Sequence, residues 1–445
     1  MGHSENLHVI VGLGSSGYSA ARYLAKQNVP VAITDSRQNP PNLTEFQTAF
    51  PDIPVSLGKL DKTLLAEAAK IVISPGVSLK EPVIANQLSR GTPIVGDVEI
   101  FAKVTQAPVI AITGTNAKST VTTLVGKMAM DANVNVGVGG NLGVPALDLL
   151  ITPAPELFVL ELSSFQLETT YSLAPKIATV LNITPDHMDR YATFQDYCNA
   201  KQRVYSQAEI AVCNREDAAT VCLTPVKKTF YFTLNEPRER EFGLLNKKGE
   251  AFLAFENQAL MAVRELPSLG RHYQANALAS LAIGHAYGLS MNAMLQTLRE
   301  FKGLAHRCQL VRERDGVRWY NDSKGTNVGA TLAAIEGLGP EIKGKLVLIA
   351  GGVGKNADFS PLVPAITKYV KSVVLIGEAA KLLANVMGSC VEIHFAKNMK
   401  NAVEIAGELA KAEDSVLLSP ACASFDMFKN FEHRGEVFAE IVQGL

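Results

Sequence analysis

The chain has 445 residues, enough for about three domains at the usual size of roughly 150 residues each. Its 42 lysines and arginines balance 43 aspartates and glutamates, so no chain-wide basic field favours nucleic acid or an anionic membrane. Hydrophobic residues make up 47% and charged residues 19%, which excludes the disordered, collagen-like and coiled-coil classes. Any anionic ligand must therefore be held by local groups.

The six cysteines are scattered and form no C-x-x-C pair, which indicates neither a disulfide framework nor a zinc site. No apolar stretch approaches the roughly 18 residues that span a bilayer. The N-terminal residues also lack the basic region, apolar core and cleavage site of a secretory signal. We therefore expect a cytoplasmic protein without a membrane or nucleic-acid partner.

Strand-like and helix-like segments alternate through most of the chain, which predicts an α/β fold with parallel sheets and crossover helices. The first unit consists, in order, of a strand, a glycine-rich turn, a helix and two further strands, over residues 7–11, 12–17, 18–27, 31–34 and 71–74. The pattern restarts near 93–98, so we place the first domain boundary after residue 96.

The first glycine-rich turn has the spacing Gly12-x-Gly14-x-x-Gly17, and Asp35 ends the next strand. Glycines at such a turn let a phosphate approach the backbone at a helix N-terminus. The pattern predicts a nucleotide site, and it fits a dinucleotide and a UDP-sugar equally. A tight strand-to-helix turn without a ligand is the alternative.

A second strand, over 108–113, leads into the loop Gly-Thr-Asn-Ala-Lys-Ser-Thr at 114–120. Backbone N–H groups and a helix N-terminus can bind phosphates there, while Lys118 suits the β and γ oxygens and Ser119 suits Mg²⁺. The literal P-loop pattern fails, because Ile112 and Ala117 stand where it requires glycine. Taken alone, the segment fits a chance Lys-Ser-Thr turn equally well.

The rest of the middle block predicts strands over 157–161 and 177–183, antiparallel strands within 227–266, and helices over 276–287 and 291–301. Glu161 ends a buried strand at the carboxyl edge of the sheet, where ligands bind. Asp186 and His187 follow the next strand, and Lys201 lies in a helical segment. Each of these residues alone also fits an ordinary surface or structural role.

The last block opens with a hairpin, because Asp315-Gly316 separates alternating runs over 309–314 and 317–320. Strands are predicted over 345–350, 372–376, 391–395 and 415–418. Basic clusters at 306–307, 321–326 and 351–355 could neutralise a phosphate or a carboxylate, or form a charged surface. We place the second boundary after residue 303, which divides the chain into domains over 1–96, 97–303 and 304–445.

Six separated segments together resemble the Mur ligase family, and within it the ligases that add D-glutamate to UDP-N-acetylmuramoyl-L-alanine. They are the loop at 114–120, Glu-Leu-Ser-Ser-Phe-Gln at 161–166, Asn-x-x-x-Asp-His-Met-Asp-Arg at 182–190, His306-Arg307, Asn-Asp-Ser-Lys at 321–324 and Leu-Ser-Pro-Ala-Cys-Ala-Ser at 418–424. The resemblance follows the chain in order over essentially its whole length.

The resemblance implies three α/β domains: a Rossmann-like N-terminal domain for the UDP moiety, a central P-loop ATPase-like domain, and a C-terminal Rossmann-like domain for the amino acid. It implies an ATP-dependent acid-amino-acid ligase of peptidoglycan precursor synthesis that acts through an acyl phosphate. The expected substrates are UDP-N-acetylmuramoyl-L-alanine and D-glutamate, the expected cofactors are ATP and Mg²⁺ at two sites, and a monomer is expected.

Matching positions imply four groups of site residues. The UDP-linked substrate is assigned Ser15, Ser16, Asp35, Ser36, Arg37, Gly76 and Asn141. ATP is assigned Gly114, Thr115, Asn116, Lys118, Ser119, Thr120, Asn276, Arg307, Asp322 and Lys324. D-glutamate is assigned Thr326, Lys355, Ser424 and Phe431, and the two Mg²⁺ ions are assigned Ser119, Glu161, His187 and Lys201. Lys201 is expected to be carbamylated, and the catalytic set is Lys118, His187 and Lys201.

Two departures from the family pattern affect the nucleotide site. Ala117 replaces the glycine usual before the lysine, which is harmless at negative φ and strained otherwise. Tyr273 stands where an asparagine usually contacts the nucleotide, so only Asn276 is carried over from that motif.

Three alternatives stay open at this point. An NAD(P)-dependent oxidoreductase rests on the first glycine-rich turn and Asp35. A non-catalytic nucleotide-binding protein is suggested by Ala117 and Tyr273. Another Mur ligase or a folylpolyglutamate synthetase shares much of the pattern, although the Asp-Asn-Pro-Arg signature of the diaminopimelate- or lysine-adding ligases is absent.

Overall fold

The computed structural model describes residues 6–267 and 270–445 and contains three separate sheets. The first block forms the strands β1 (His8–Val11), β2 (Val31–Asp35), β3 (Val55–Leu57), β4 (Lys70–Ile73) and β5 (Ile94–Val95). Its helices are α1 (Ser15–Lys26), α2 (Leu43–Ala49), α3 (Lys62–Ala66), α4 (Pro82–Ser89) and α5 (Asp97–Val104). All strand pairs are parallel in the order β3-β2-β1-β4-β5, which is a Rossmann-like arrangement.

The middle block carries a nine-stranded sheet. Its strands are β6 (Val109–Thr113), β7 (Val136–Gly140), β8 (Leu157–Glu161), β9 (Ile177–Val180), β10 (Ile210–Asn214), β11 (Lys228–Phe232), β12 (Glu241–Lys247), β13 (Glu250–Phe255) and β14 (Gln258–Ala262). Its helices are α6 (Lys118–Asp131), α7 (Ser164–Glu168), α8 (Phe194–Gln202), α9 (Arg271–Tyr287) and α10 (Met291–Glu300).

The strand order of this sheet is β14-β13-β12-β11-β10-β9-β6-β8-β7. The prediction of antiparallel strands within 227–266 is confirmed for β12, β13 and β14. It is wrong for β11, which pairs parallel to both β10 and β12. Alternating apolar residues identify the strand but do not encode its direction. Strand β9 ends at Val180, before the predicted end at residue 183.

The last block forms β15 (Gln309–Arg314), β16 (Val317–Asn321), β17 (Leu346–Gly351), β18 (Val370–Ile376), β19 (Glu392–Phe395) and β20 (Ser415–Leu418). Its helices are α11 (Val328–Leu338), α12 (Val363–Tyr369), α13 (Ala380–Met387), α14 (Met399–Leu409) and α15 (Phe431–Gln443). The predicted hairpin is confirmed, because β15 and β16 pair antiparallel with Arg314 opposite Val317. The remaining pairs are parallel, in the order β15-β16-β20-β17-β18-β19.

Central strands read as unbroken apolar runs because helices cover both faces of each sheet. In β6, Ile110 and Ile112 pack into the core that contains α6 and α9, whereas Val109 and Ala111 face the core shared with the first block. Phe101 of α5 contacts Phe158 of β8 at 5.0 Å between ring centroids. Helix α5 thus packs against the middle sheet, and the boundaries placed after residues 96 and 303 stay predictions.

The parallel strands end at a common edge, which brings the loops after β6, β8 and β9 together. These loops hold residues 114–117, the segment after Glu161, and residues 181–190. In the part of the chain that the structure describes, no helix is long and apolar enough to cross a membrane.

Candidate active site

The loop between β6 and α6 folds tightly against the loop after β9. Gly114 has a φ of 154°, and a Cβ atom there would lie 3.1 Å from the Cβ atom of Leu181. The N–H of Thr115 donates to the carbonyl oxygen of Asn182 at 2.8 Å, and the N–H of Asn116 donates to Asn182 Oδ1 at 2.8 Å. The loop after β9 therefore fixes the backbone of residues 114–116.

Lys118 and Ala117 lie where this loop enters α6. Lys118 Nζ donates to the carbonyl oxygens of Gly114 at 3.0 Å and Thr115 at 2.9 Å, so the ammonium group lies over the loop. Ala117 has a φ of 66°, in the left-handed region that disfavours side chains with a Cβ atom. Alanine would be harmless here only at negative φ, so the backbone of Ala117 is strained.

Lys201 of α8 is buried beneath the same loop, and its Nζ donates to the Gly114 carbonyl oxygen at 2.7 Å. Burial lowers the pKa of Lys201 well below its usual value, and the nearby charge of Lys118 lowers it further. Burial is also the main cause that lowers the pKa of Lys118. Two lysines thus share one site, which favours loss of a proton from Lys201 or the presence of an anionic partner.

Glu161, at the end of β8, provides the clearest candidate for a metal ligand. Its Oε1 accepts a hydrogen bond from Asn141 Nδ2 at 2.7 Å, while its Oε2 is buried and has no hydrogen-bond partner in the described residues. Such an unsatisfied carboxylate oxygen is costly, and a hard divalent cation is a suitable partner for it. Asn141 and Glu161, assigned to different ligands, are therefore in direct contact.

Asp186 and His187 form the turn after β9. His187 adopts a φ of 57°, and its ring lies 4.8 Å from that of Phe165 and 6.4 Å from that of Tyr197, measured between centroids. Burial is the main cause that lowers the pKa of His187, which favours the neutral imidazole that binds metals. Within 6–267 and 270–445, no three His, Cys, Asp or Glu side chains cluster in a metal-binding arrangement.

Two half-buried cations of the last block, Arg307 and Lys324, were assigned to ATP, and Arg307 contacts the loop at 114–120. Arg307 Nη2 donates to Ser119 Oγ at 2.7 Å. Lys324 Nζ lies 3.7 Å from the centroid of the Phe431 ring, and burial, followed by the charge of Arg307, lowers its pKa to about 8. The structure thus joins Arg307 to Ser119, and the assignment of both residues and Lys324 to ATP stays a prediction.

Asp322 is held within the last block. Its Oδ1 accepts from the N–H of Cys308 at 3.2 Å, and its Oδ2 accepts from Ser419 Oγ at 2.7 Å. Burial raises its pKa to about 6. Asp322 therefore fixes the turn that carries Arg307, and its predicted contact with ATP stays a prediction.

Tyr273, in the first turn of α9, packs into the core rather than facing a ligand. Its side chain is 8% exposed, and its hydroxyl donates to the Phe301 carbonyl oxygen at 2.5 Å. Asn276 is half-buried on the same helix, and its assignment to ATP stays a prediction. Tyr273 thus joins α9 to the end of α10.

The residues predicted to hold the UDP moiety, apart from Asn141, follow the carboxyl ends of β1, β2 and β4: Ser15, Ser16, Asp35, Ser36, Arg37 and Gly76. The Asp35 carboxylate accepts from the N–H of Leu13 at 2.7 Å and from Arg37 N, Nε and Nη2 at 2.8, 2.9 and 2.7 Å. Asp35 therefore positions Arg37 and the first glycine-rich turn.

The four residues assigned to D-glutamate all lie at ends of elements in the last block. Thr326 precedes α11, Ser424 follows β20 and is buried, and Phe431 opens α15. Lys355 follows β17, and its Nζ lies 3.3 Å from Oδ1 of Asp186 in the middle block. Within the described ranges, Lys355 is therefore the residue of this group whose side chain contacts the middle block.

Asn327 is a site residue that sequence reasoning missed. Its Oδ1 caps α11 by accepting from the N–H of Ala330 at 2.8 Å. Its Nδ2 donates to Asn116 Oδ1 at 3.1 Å and to Asp186 Oδ2 at 3.0 Å. Asparagine before the apolar helix signals an N-cap, but nothing in the sequence indicates the contacts with the middle block.

Three family models match the chain in order. They are the Mur ligase MurD-like N-terminal domain over residues 6–96, the Mur ligase middle domain over 112–284, and the Mur ligase glutamate ligase domain over 306–422. The chain belongs to the Mur ligase family.

Within that family, the chain is 52% identical to UDP-N-acetylmuramoylalanine--D-glutamate ligase of Pseudomonas putida, over 99% of this chain and 98% of the relative. It is 51% identical to the protein of the same name from Coxiella burnetii, over 99% of this chain and 100% of the relative. These relatives extend over nearly the entire chain, including all three blocks.

Solved structures of lower identity share the fold. The MurF ligase of Thermotoga maritima in complex with ADP has a TM-score of 0.63 at 16% identity, covering 100% of this chain and 97% of that one. The folylpolyglutamate synthase of Mycobacterium tuberculosis complexed with ADP has a TM-score of 0.58 at 15% identity, covering 76% and 90%. The three-domain α/β architecture implied by the resemblance is confirmed.

Proposed function

We propose that this chain is an ATP-dependent ligase that joins D-glutamate to UDP-N-acetylmuramoyl-L-alanine in peptidoglycan precursor synthesis. The observation that carries the proposal is the identity of 51 to 53% with ligases of that name over 99% of the chain. The same observation favours this reaction over an oxidoreductase, a folylpolyglutamate synthetase or another Mur ligase.

The chemistry requires an activated carboxylate, because an oxide ion is too poor a leaving group for direct attack by an amine. Transfer of the ATP γ-phosphoryl group to the UDP-linked carboxylate gives an acyl phosphate. The amine of D-glutamate then attacks the acyl carbon, and phosphate leaves from the tetrahedral intermediate. This reaction needs cations that bind phosphate, a site for the amine of D-glutamate, and an active site that excludes water.

The ATP loop supplies the phosphate-binding groups. Residues 114–120 surround the N-terminus of α6, where backbone N–H groups and the helix dipole favour phosphate oxygens. The cations of Lys118 and Arg307 meet at this loop, on the carbonyl oxygens and on Ser119 respectively. Their role is to neutralise negative charge during phosphoryl transfer, with Thr120, Asn276 and Lys324 completing the nucleotide contacts.

Mg²⁺ is assigned two sites, which would supply further charge neutralisation to the phosphoryl group. Glu161 and Ser119 would hold the first ion, and the unpartnered Glu161 Oε2 supports this assignment. His187, kept neutral by burial, and Lys201 would hold the second ion.

Lys201 needs chemical modification for this role, since an ammonium group does not bind a cation. Burial favours its neutral amine, the form that adds carbon dioxide to give a carbamate and a proton. Carbamylation replaces a cation with an anion that carries two hard oxygen donors, the ligand type that Mg²⁺ prefers.

The other substrates are assigned to the two outer domains, over 1–96 and 304–445. The carboxyl ends of β1, β2 and β4 would bind the UDP moiety, with Asn141 contributed by the central domain over 97–303. Thr326, Lys355, Ser424 and Phe431 would bind D-glutamate, where the ammonium group of Lys355 suits a carboxylate. We further propose a cytoplasmic monomer, as the resemblance implies, and the six free cysteines support a reducing compartment.

An amino-acid panel tests the proposed function. Release of ADP is measured with UDP-N-acetylmuramoyl-L-alanine, Mg·ATP, and either D-glutamate, L-glutamate or D-aspartate. We expect turnover with D-glutamate alone, and none for Lys118→Ala, which controls for a contaminating ATPase. Equal turnover with L-glutamate or D-aspartate would show that the substrate assignment is wrong.

A heavy-oxygen label tests the acyl phosphate separately. When the carboxylate of the UDP-linked substrate carries the label, we expect one labelled oxygen in the inorganic phosphate released during full turnover. Borohydride should reduce the acyl phosphate to an alcohol when D-glutamate is withheld. Unlabelled phosphate would instead favour an adenylate or a direct route.

A further inference from the structure

A single side-chain amide from the last block links two loops of the central domain. Asn327 Nδ2 lies 3.1 Å from Asn116 Oδ1 in the ATP loop and 3.0 Å from Asp186 Oδ2 beside His187. Asn116 Nδ2 lies 3.5 Å from Asn327 Oδ1 in return. The side chain of Asn327 is 8% exposed, so water does not readily replace these contacts.

The backbone around Asn327 is packed tightly against the central domain as well. A Cβ atom on Gly329, in the first turn of α11, would lie 2.8 Å from Thr184 Oγ1 and 3.4 Å from Asn116 Nδ2. The start of α11 thus packs so closely on the loops after β6 and β9 that a side chain at residue 329 would displace the side chain of Thr184. The position of Asn327 is fixed by this close approach and by its own role as the N-cap of α11.

Asp186 extends the same network to the proposed amino-acid site. Its Oδ1 accepts from the N–H of His187 at 2.8 Å and lies 3.3 Å from Lys355 Nζ. Asp186 Oδ2 is the oxygen that Asn327 contacts. The ATP loop, the turn with His187 and the proposed glutamate cation are therefore connected through two side chains, Asn327 and Asp186.

We propose that Asn327 is a positioning residue that makes phosphoryl transfer depend on docking of the C-terminal domain. The proposal rests on the proposed function and adds to it a link between the two chemical steps. With the amide in place, Asn116 and Asp186 are held in one arrangement. Without it, this arrangement loses its link to the domain that delivers D-glutamate, and the contact of Arg307 with Ser119 remains. Asn327 acts through these residues and not by contact with a substrate.

Three variants separate this role from helix capping. Asn327→Ser keeps an oxygen that can cap α11 but is too short to reach Asn116 and Asp186. Asn327→Asp keeps both the size and the cap, yet places a second carboxylate about 3 Å from Asp186. Asn398→Ser is the matched control, because Asn398 caps α14 of the same domain through the N–H of Asn401 at 2.9 Å.

The readouts are steady-state kcat, the KM for each substrate, and the rate of acyl-phosphate formation trapped with borohydride. Loss of one neutral and one charge-assisted hydrogen bond predicts at least about a tenfold slower acyl-phosphate formation in Asn327→Ser. The KM for the UDP-linked substrate should stay within about twofold, since its assigned residues lie elsewhere. Asn327→Asp should be slower still, because it adds repulsion between like charges.

The comparison of acyl-phosphate formation rates in Asn327→Ser and Asn327→Asp decides between the two roles. A residue that only caps α11 predicts that Asn327→Asp is the milder change, because aspartate is a good N-cap and its charge favours a helix N-terminus. Equal rates of acyl-phosphate formation in Asn327→Ser and Asn398→Ser, or a faster rate in Asn327→Asp than in Asn327→Ser, would overturn the proposal. Matching melting temperatures for the two serine variants show that both fold. Wild-type protein without D-glutamate-dependent ADP release would instead refute the proposed function, and this inference with it.

Discussion

Replacing Ala117 by glycine should relieve the strain at the start of α6. Ala117 has a φ of 66° and a ψ of −8°, and the left-handed conformation costs a residue with a Cβ atom roughly 1–2 kcal/mol. Glycine adopts it freely, but it gives the unfolded chain additional entropy worth about 0.4–1 kcal/mol. We therefore expect Ala117→Gly to leave the free energy of unfolding unchanged or to raise it by about 1 kcal/mol.

The same exchange at the other end of α6 provides the control. Ala132 is also half-buried and packs against the same core, but its φ is −88°. There glycine brings the entropic cost without relief of strain, so Ala132→Gly should lower the free energy of unfolding by about 0.5–1 kcal/mol. The difference between the two variants isolates the strain at Ala117.

Thermal unfolding followed by calorimetry, without ligands, measures this difference. For a domain of about 150–250 residues, 1 kcal/mol corresponds to roughly 2–4 °C in the melting temperature. Ala117→Gly should therefore melt several degrees above Ala132→Gly. Equal destabilisation by the two changes would falsify the assignment of strain to Ala117.

Four further predictions concern the site and its departures from the family. Lys355→Ala should raise the KM for D-glutamate at least about tenfold, as expected for a lost charge-assisted hydrogen bond, and an unchanged KM would remove Lys355 from that site. Lys201→Ala should lower kcat by orders of magnitude, and labelled bicarbonate should give a carbamate signal in the wild type that this variant lacks. ATP should bind more weakly as the pH rises through about 8, because Lys324 loses its proton there, whereas this pH dependence should be smaller in Lys324→Arg; an equal pH dependence in both proteins would remove Lys324 from the nucleotide site. Tyr273→Phe should cost about 1 kcal/mol of stability through the lost hydrogen bond to Phe301 and leave the KM for ATP unchanged; a large rise in that KM would place Tyr273 at the nucleotide after all.

The α/β class could be predicted from the sequence because parallel strands covered on both faces are continuous apolar runs. Residues 109–113 and 157–161 are such runs, and both form strands within one residue of the predicted limits. The loop after the first strand holds residues assigned to phosphate binding, and Glu161 ends the second strand, since the carboxyl edge of a parallel sheet gathers such positions. The direction of β11 could not be predicted, because a parallel and an antiparallel strand share the same alternation.

The contacts between domains could not be predicted from the sequence, for a different reason. Asn327 and Asn116 are separated by 211 positions in the chain, and Lys355 and Asp186 by 169. Whether such residues meet depends on how the last domain docks onto the central one, and no local pattern encodes that. The resemblance assigned Lys355 to D-glutamate by matching position, which stays a prediction, but Asn327 showed only the N-cap signal that many helices share.

The physical effect of each departure from the family pattern depends on where the fold places that residue. Ala117 is a problem only because the loop after β9 holds residues 114–116 so that the chain enters α6 at positive φ. Tyr273 is harmless to the fold because its ring fills the core and its hydroxyl satisfies the Phe301 carbonyl oxygen just after α10. An asparagine at that position would be too short to reach the Phe301 carbonyl oxygen. Tyrosine therefore strengthens the junction of α9 and α10, at a position where the resemblance implies a nucleotide contact. A nucleotide contact from α9 would therefore come from a residue other than Tyr273, and the assignment of Asn276 from the same motif stays a prediction.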